Sequence, residues 1–346
     1  MANASKALSF AQISNVENTV GTAEAATEIL LFETFKRIAH DKVFHMPTQD
    51  RGHLAANSET PFQVQQLAEF EMEGDLYDRI ANFMFSSGIR GNITPAAVGG
   101  SETLAYTWAY LMGLTTQNTP DITNGIDTFT LEWGSPIQEY ETEYIFTTSI
   151  EISGAINEAV RYKWGMQGRG VTESTKTAAL SVPTSLQYFP MNKAKWFVDS
   201  SYAGIGGTQK SGVLYGFTWK LETNFTARFT ADGNYYFSAL NEDRKKVELE
   251  LMLYRDSTIY EAELDKFQAQ STSYQRLALF GTSEIDSGQS NPPYIYLDGA
   301  YKYTEWPELD EQGGMDVIKV KAESFYDTTA AKQFGTTVKT AMASFA

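Results

Sequence analysis

Polar and apolar residues alternate along much of this chain. In EYETEYIFTTSIEISG (139–154), Tyr140, Thr142, Tyr144, Phe146, Ile150 and Ile152 fall on one side of an extended backbone. Glu139, Glu141, Glu143, Thr147, Ser149, Glu151 and Ser153 fall on the other. Successive side chains of a strand point to opposite faces, so the stretch predicts a long β-strand with one apolar and one acidic face. The same period recurs in FQVQQLAEFEME (62–73), with Phe62, Val64, Ala68, Phe70 and Met72 on one face. In DTFTLEWG, Phe129, Leu131 and Trp133 point inward. GFTWKLETNFTARFT puts Phe217, Trp219, Leu221, Phe225 and Phe229 on one face, and KKVELELMLYR does the same for Val247, Leu249, Leu251 and Leu253. EAVRYKWGMQGRG, YIYLDGAYKYTEW and MDVIKVKAESF read as further strands, and ILLFETFKRI (29–38) is assigned to strand as well.

Two segments change period. In GDLYDRIANFMFSSG, Leu76, Ile80, Phe83 and Met84 recur at helical spacing between an N-cap at Asp75 and a terminating Gly88. In DSTIYEAELDKFQAQ, Thr258 and Glu261 make a capping-box pattern ahead of Leu264 and Phe267. Each predicted helix directly follows an alternating strand. That repeated order predicts two similar modules, residues 28–180 and 181–346, behind an N-terminal arm, residues 1–27. Residues 86–103 and 113–127 read as long loops, and the chain loosens again over 168–212. The expected fold is mainly β with flanking helices, built as tandem sandwich- or barrel-like modules.

Composition narrows the function. The 346 residues contain no cysteine, which removes disulfides, thiolate metal sites and thiol catalysis together. No apolar run is long enough for a membrane-spanning helix, and the first residues lack the apolar stretch of a secretory signal. A net charge of −16 predicts repulsion, not capture, of nucleic acid.

Motifs for chemistry are missing where chemistry would need them. GIGGTQKS (204–211) imitates a phosphate-binding loop, yet Gln209 stands where the glycine before the lysine belongs, and a strand follows in place of a helix. His40, His45 and His53 are not at metal-ligand spacing. No calcium-loop series and no nucleophile elbow occurs, and paired carboxylates such as Glu69 and Glu71 are expected by chance among 43 acids. The sequence therefore predicts no catalytic residues, no metal and no cofactor.

With catalysis set aside, the chain resembles the tail tube (major tail) proteins of long-tailed bacteriophages. The likeness rests on TPDITNGIDTFTLEWG running into YIFTTSIEISG and WGMQGRG, on FVDSSYAGIGGTQKSGVLYGFTWKLET, and on YLDGAYKYTEWPELDEQGGMDVIKVKAES, within residues 50–326. It implies a sandwich or barrel-like sheet with a flanking helix, and subunits that close into rings stacked as a hollow tube. With two modules per chain, it implies trimeric rings with quasi-sixfold walls. Implied partners are further copies of the chain, the tape-measure protein, tail-terminator and baseplate proteins, and double-stranded DNA in transit. The implied place is the virion, after assembly in the host cytoplasm. A bore that passes DNA should repel phosphate, so Glu139, Glu141, Glu143 and Glu151 are the candidate lumen-facing residues. The arm and the two long loops are candidates for ring-to-ring contacts. Competing expectations are another tail or baseplate ring protein, a carbohydrate-binding β-sandwich adhesin and, more distantly, a hydrolase on a β scaffold.

Overall fold

The structure, a computed structural model, describes residues 9–46, 61–100, 102–112, 125–183, 186–255, 257–286, 292–305, 308–312 and 314–345. In chain order the strands begin with β1 (Phe10–Val16), β2 (Ala26–Ile29), β3 (Thr34–His45) and β4 (Phe62–Asp75). Helix α1 (Asp78–Gly88) follows, then β5 (Ala96–Gly99), β6 (Glu102–Met112), β7 (Phe129–Gly134), β8 (Glu139–Ala155), β9 (Arg161–Gly168) and β10 (Thr172–Glu173). The second half brings β11 (Lys195–Asp199), β12 (Gln209–Lys210), β13 (Leu214–Glu222), β14 (Thr226–Arg228), β15 (Ala239–Asn241) and β16 (Lys246–Tyr254). After helix α2 (Ser257–Ala269) come β17 (Ser273–Phe280), β18 (Tyr294–Tyr303), β19 (Glu308–Gln312), β20 (Met315–Ser324) and β21 (Phe334–Thr340).

The fold is mainly β, as the alternating pattern predicts. Its backbone is a long antiparallel sheet in the order β3-β4-β9-β8-β13-β16-β20-β19. Each half of the chain contributes four adjacent strands, and in each half a helix follows the second strand of a pair: α1 after β4 and α2 after β16. A second antiparallel sheet runs β12-β11-β17-β18-β21-β6-β5. The two join where the end of β18 also pairs with β20. A smaller sheet, β2-β1-β7-β8-β10, uses the N-terminal half of β8.

The halves are tied together along the sheets. Strand β8 pairs with β13 across residue 180, and β6 pairs with the last strand, β21. One hydrophobic cluster runs from Ala11 to Met342 and takes in Trp108, Trp133, Trp164, Trp196 and Trp219. Helix α1 lies inside it, against β8, β6 and β21, with Phe85 touching Tyr110 of β6 and Trp219 of β13. Its polar positions are buried too, and they find partners: the Ser87 hydroxyl bonds the Phe83 carbonyl at 2.7 Å, and Tyr110 donates to the Asn82 side-chain oxygen at 3.1 Å. The helix starts at Asp78 and not beyond an Asp75 cap, because Asp75 is held in the sheet opposite Arg161.

Several expectations shift. Within the arm expected over residues 1–27, residues 10–16 form β1 and residues 26 and 27 begin β2, with Ala11 and Ile13 in the core; residues 1–8 lie outside the described residues. Residues 86–103 are the end of α1, β5 and the start of β6 rather than one loop, and most of 113–127 lies outside the described residues. Phe225 leaves the face of Phe217, Trp219 and Leu221, since β13 ends at Glu222 and the backbone turns at Asn224, φ 53°. The side chains of Thr258 and His40, and all of His53, are outside the described residues, while His45 sits exposed beside the Phe62 ring.

A candidate lumen face

The long sheet buries one face and presents the other as rows of charge. Val247, Leu249, Leu251 and Leu253 of β16 turn inward, as do Phe70 and Met72 of β4 and Ile150 and Ile152 of β8. Strand pleating then places the alternate residues outside. Register aligns them across strands: Glu73 faces Lys163, Lys163 faces Glu151, Glu151 faces Lys220, and Lys220 faces Glu248. The next row runs Asp75, Arg161, Ser153, Thr218, Glu250 and Lys321.

Each cation in these rows meets a carboxylate. Lys163 lies 2.9 Å from Glu71, Lys220 2.8 Å from Glu222, and Lys321 2.9 Å from Glu305. Arg161 lies 2.5 Å from Glu33, Lys246 2.5 Å from Glu248, and Lys319 2.7 Å from Asp310. Hydrogen bonding to Lys163 holds the Glu71 carboxyl below its ordinary range, and the bond to Lys220 does the same for Glu222. The Lys163 and Lys220 ammonium groups are raised in return, each chiefly by that hydrogen bond. The face is thus a mosaic of ion pairs, with surplus carboxylates such as Glu69 and Glu151 set among them, rather than a bare carboxylate wall.

The four acidic candidates separate into two places. Glu151 sits on this face between Lys163 and Lys220. Glu139, Glu141 and Glu143 lie on the smaller sheet, because β8 does not keep one alternation from end to end. Tyr144 adopts φ 56°, a conformation few bulky side chains accept, and the register slips again between Thr147 and Ser149. The cause of the first break is Glu17. Its buried carboxylate accepts the Tyr144 N–H at 2.8 Å, and also bonds from Gly21 N–H at 2.7 Å, Thr128 at 2.8 Å and Thr130 at 3.1 Å. Beyond the break, Ile145, Ile150 and Ile152 join the main core. Tyr144 and Phe146 instead join a separate cluster with Phe225 and Phe237.

Around the three N-terminal glutamates the chain assembles an acidic patch. Glu141 lies directly across from Glu132, whose buried carboxylate accepts the N–H groups of Ala26 at 3.0 Å and Thr177 at 2.6 Å. Burial, and then the Glu132 charge, push the Glu141 carboxyl above its usual range. Burial also raises Glu143, against the pull of Arg169. Glu139 accepts the Lys176 N–H at 3.0 Å. Glu17 and Glu132 carry little local signal in the sequence, since apart from the nearby Gly21 N–H the partners of Glu17 are more than a hundred residues away, and those of Glu132 lie both earlier and later in the chain.

No group of His, Asp and Glu among the described residues is arranged to hold a metal ion. A cleft of about 320 Å³ is lined by Thr27, Glu28, Asp78, Arg79 and Thr340 without an aromatic side chain. Its charges are used internally: Arg79 pairs with Glu28, and Asp78 accepts bonds from Thr340 and the Gln187 N–H. Burial raises the Asp78 carboxyl. At GIGGTQKS, Gln209 and Lys210 form the short β12 against Trp196, and strand β13 follows at Leu214. Compared with family models and with curated proteins, the chain matches none.

Proposed function

We propose that this chain is a self-assembling wall protein, whose copies extend one another's sheets to enclose a channel. More particularly, we propose that it is the tail tube protein of a long-tailed phage. It would polymerise into stacked rings, closed as trimers by two tube modules per chain, and conduct DNA and the tape-measure protein during genome ejection. Assembly would take place in the host cytoplasm, with tail-terminator and baseplate proteins at the ends of the tube. The observation that carries the reading is the long antiparallel sheet, with four strands from each half, one face in the core and the other an ion-paired, net acidic surface. A wall for passing DNA needs that second face, since lysines held by carboxylates release no counterions to phosphate. The resemblance in the sequence points the same way.

Negative-stain imaging of the concentrated purified protein tests it. Long hollow filaments are the expected result. Molecules that remain single at every concentration and temperature, or single closed rings that never stack, would overturn the tube assignment.

A further inference from the structure

The long sheet ends in two strands that are hydrogen-bonded on one side only among the described residues. Strand β3 pairs with β4 alone, and β19 pairs with β20 alone. Unpaired edges attract other chains, and soluble proteins usually keep them short or blunt them. The outer strands β5, β10 and β12 are two to four residues long, whereas β3 runs for 12. The two ends of the long sheet carry opposite charge. On β3, Lys36, Arg37 and Lys42 are exposed and outweigh Asp41; on β19, Glu308, Asp310 and Glu311 are exposed without a base. Lys36 reaches Glu71 at 3.6 Å and Asp310 reaches Lys319 at 2.7 Å, both toward the inner neighbouring strand.

We propose that β3 of one copy pairs antiparallel with β19 of the next, joining subunits head to tail into one continuous sheet. This rests on the tube reading and names the edges that would close its rings. Direction supports it: every neighbour in the eight-strand order is antiparallel, so β3 and β19 run oppositely and a second copy's β3 continues the alternation. Charge selects the pairing. Two β3 edges would face lysine and arginine with the same, and two β19 edges would face acid with acid; only the mixed pair brings opposite signs together. Such a contact joins different patches on the two partners, and therefore makes rings or filaments rather than twofold dimers. Exposed Val43 and Phe44 on β3 and Leu309 on β19 add apolar surface for the pairing to cover.

The test is charge reversal at each end. Lys36→Glu with Lys42→Glu, and separately Glu308→Lys with Glu311→Lys, should leave folded monomers under conditions where the unmodified chain assembles. Joining all four substitutions in one chain restores the opposite signs and should restore assembly. Because the chain lacks cysteine, a cysteine at Lys36 or Lys42 together with one at Asp310 gives a second measurement: oxidation of assembled protein should produce a ladder of covalent oligomers from at least one pair. Tubes that persist through either single-edge reversal, with no ladder, would overturn the edge pairing and leave the tube reading standing. An unmodified chain that stays monomeric throughout would overturn both. Closed rings that respond to the reversals but do not stack would support the pairing while removing the tube.

Discussion

At the scale of single residues, the acidic patch on β8 is held against its own electrostatics. Glu141 is half-buried beside Glu132, and its folded carboxyl keeps a proton to higher pH than the unfolded one. The sign follows from proton linkage. Between the unfolded and folded pKa values the native state binds more protons, so stability falls as pH rises through that window, and the penalty is complete above it. Glu141→Gln is accordingly expected to raise the melting temperature at pH 7–8. The gain should shrink as pH falls through the carboxylate range, where the wild-type group becomes neutral. Thermal unfolding of both proteins over pH 4–8 checks this, and a gain independent of pH would remove the electrostatic cause. Glu71 and Glu222 behave oppositely, since their lowered carboxyls stabilise the fold above the ordinary carboxylate range and lose that contribution as pH falls.

At the scale of elements, Arg169 is the fastener between three segments. It donates to the Gly21 carbonyl at 2.9 Å and to the Phe237 carbonyl at 3.1 Å, and its guanidinium lies 4.8 Å from the Tyr144 ring centre. It therefore holds the turn between β1 and β2, and the segment before β15, onto the bend in β8. Gly21, at φ 75°, lies so close that a Cβ there would sit 1.8 Å from the guanidinium. Arg169→Ala should cost about 2 kcal/mol, the scale of lost bonds to a charged donor. Gly21→Ala should cost a similar amount by displacing the same group. Because both act on one contact, the double substitution should cost clearly less than the sum, as measured by a denaturant double-mutant cycle; strict additivity would separate the two. This fastener was not legible in the sequence. Period-2 alternation marked β4, β7, β9, β13 and β16, and the inward residues read from it hold at Ala68, Phe70 and Met72, at Phe129, Leu131 and Trp133, at Phe217, Trp219 and Leu221, and at Val247, Leu249, Leu251 and Leu253, whereas Phe62 and Val64 at the start of β4, and Phe229 beyond β13, are exposed. In β8 it marked the strand but not the break in its faces, where a carboxylate from Glu17 captures a backbone N–H, and it missed β1, where FAQISNV alternates too weakly to mark a strand paired between β2 and β7. The inward helix face was readable from its spacing, whereas the burial of Asp78, Asn82, Ser86 and Ser87 depends on partners in β6, β8 and β21 that no local pattern announces.

At the scale of the whole molecule, the outer face of the long sheet decides how the protein treats a polyanion, and here the fate of its lysines matters more than the net charge. Of the four acidic candidates only Glu151 stands on that face; the larger share of its negative character comes from Glu69, Glu71, Glu73, Glu222, Glu248, Glu250 and Glu323, which the register places there. The alternation of single strands could not say which polar faces share a sheet. Neutralising Glu71, Glu222 and Glu248 as glutamines keeps the shape of each side chain and frees Lys163, Lys220 and Lys246 from their nearest carboxylates. The wild-type protein is expected to leave duplex DNA unbound at low salt. In the triple variant Lys163 on β9, Lys220 on β13 and Lys246 on β16 lose their nearest carboxylates, and Lys246 keeps only the more distant Glu323 at 4.0 Å. Each phosphate these lysines neutralise contributes roughly −0.9 to the slope of log affinity against log salt, so a slope of about −2 to −3 is expected. Binding should be visible by fluorescence anisotropy near 50 mM salt and fade by about 200 mM. A triple variant that folds, assembles and still ignores DNA would mean that the ion pairs are not what keeps phosphate away, and the face would lose its claim to line a conduit.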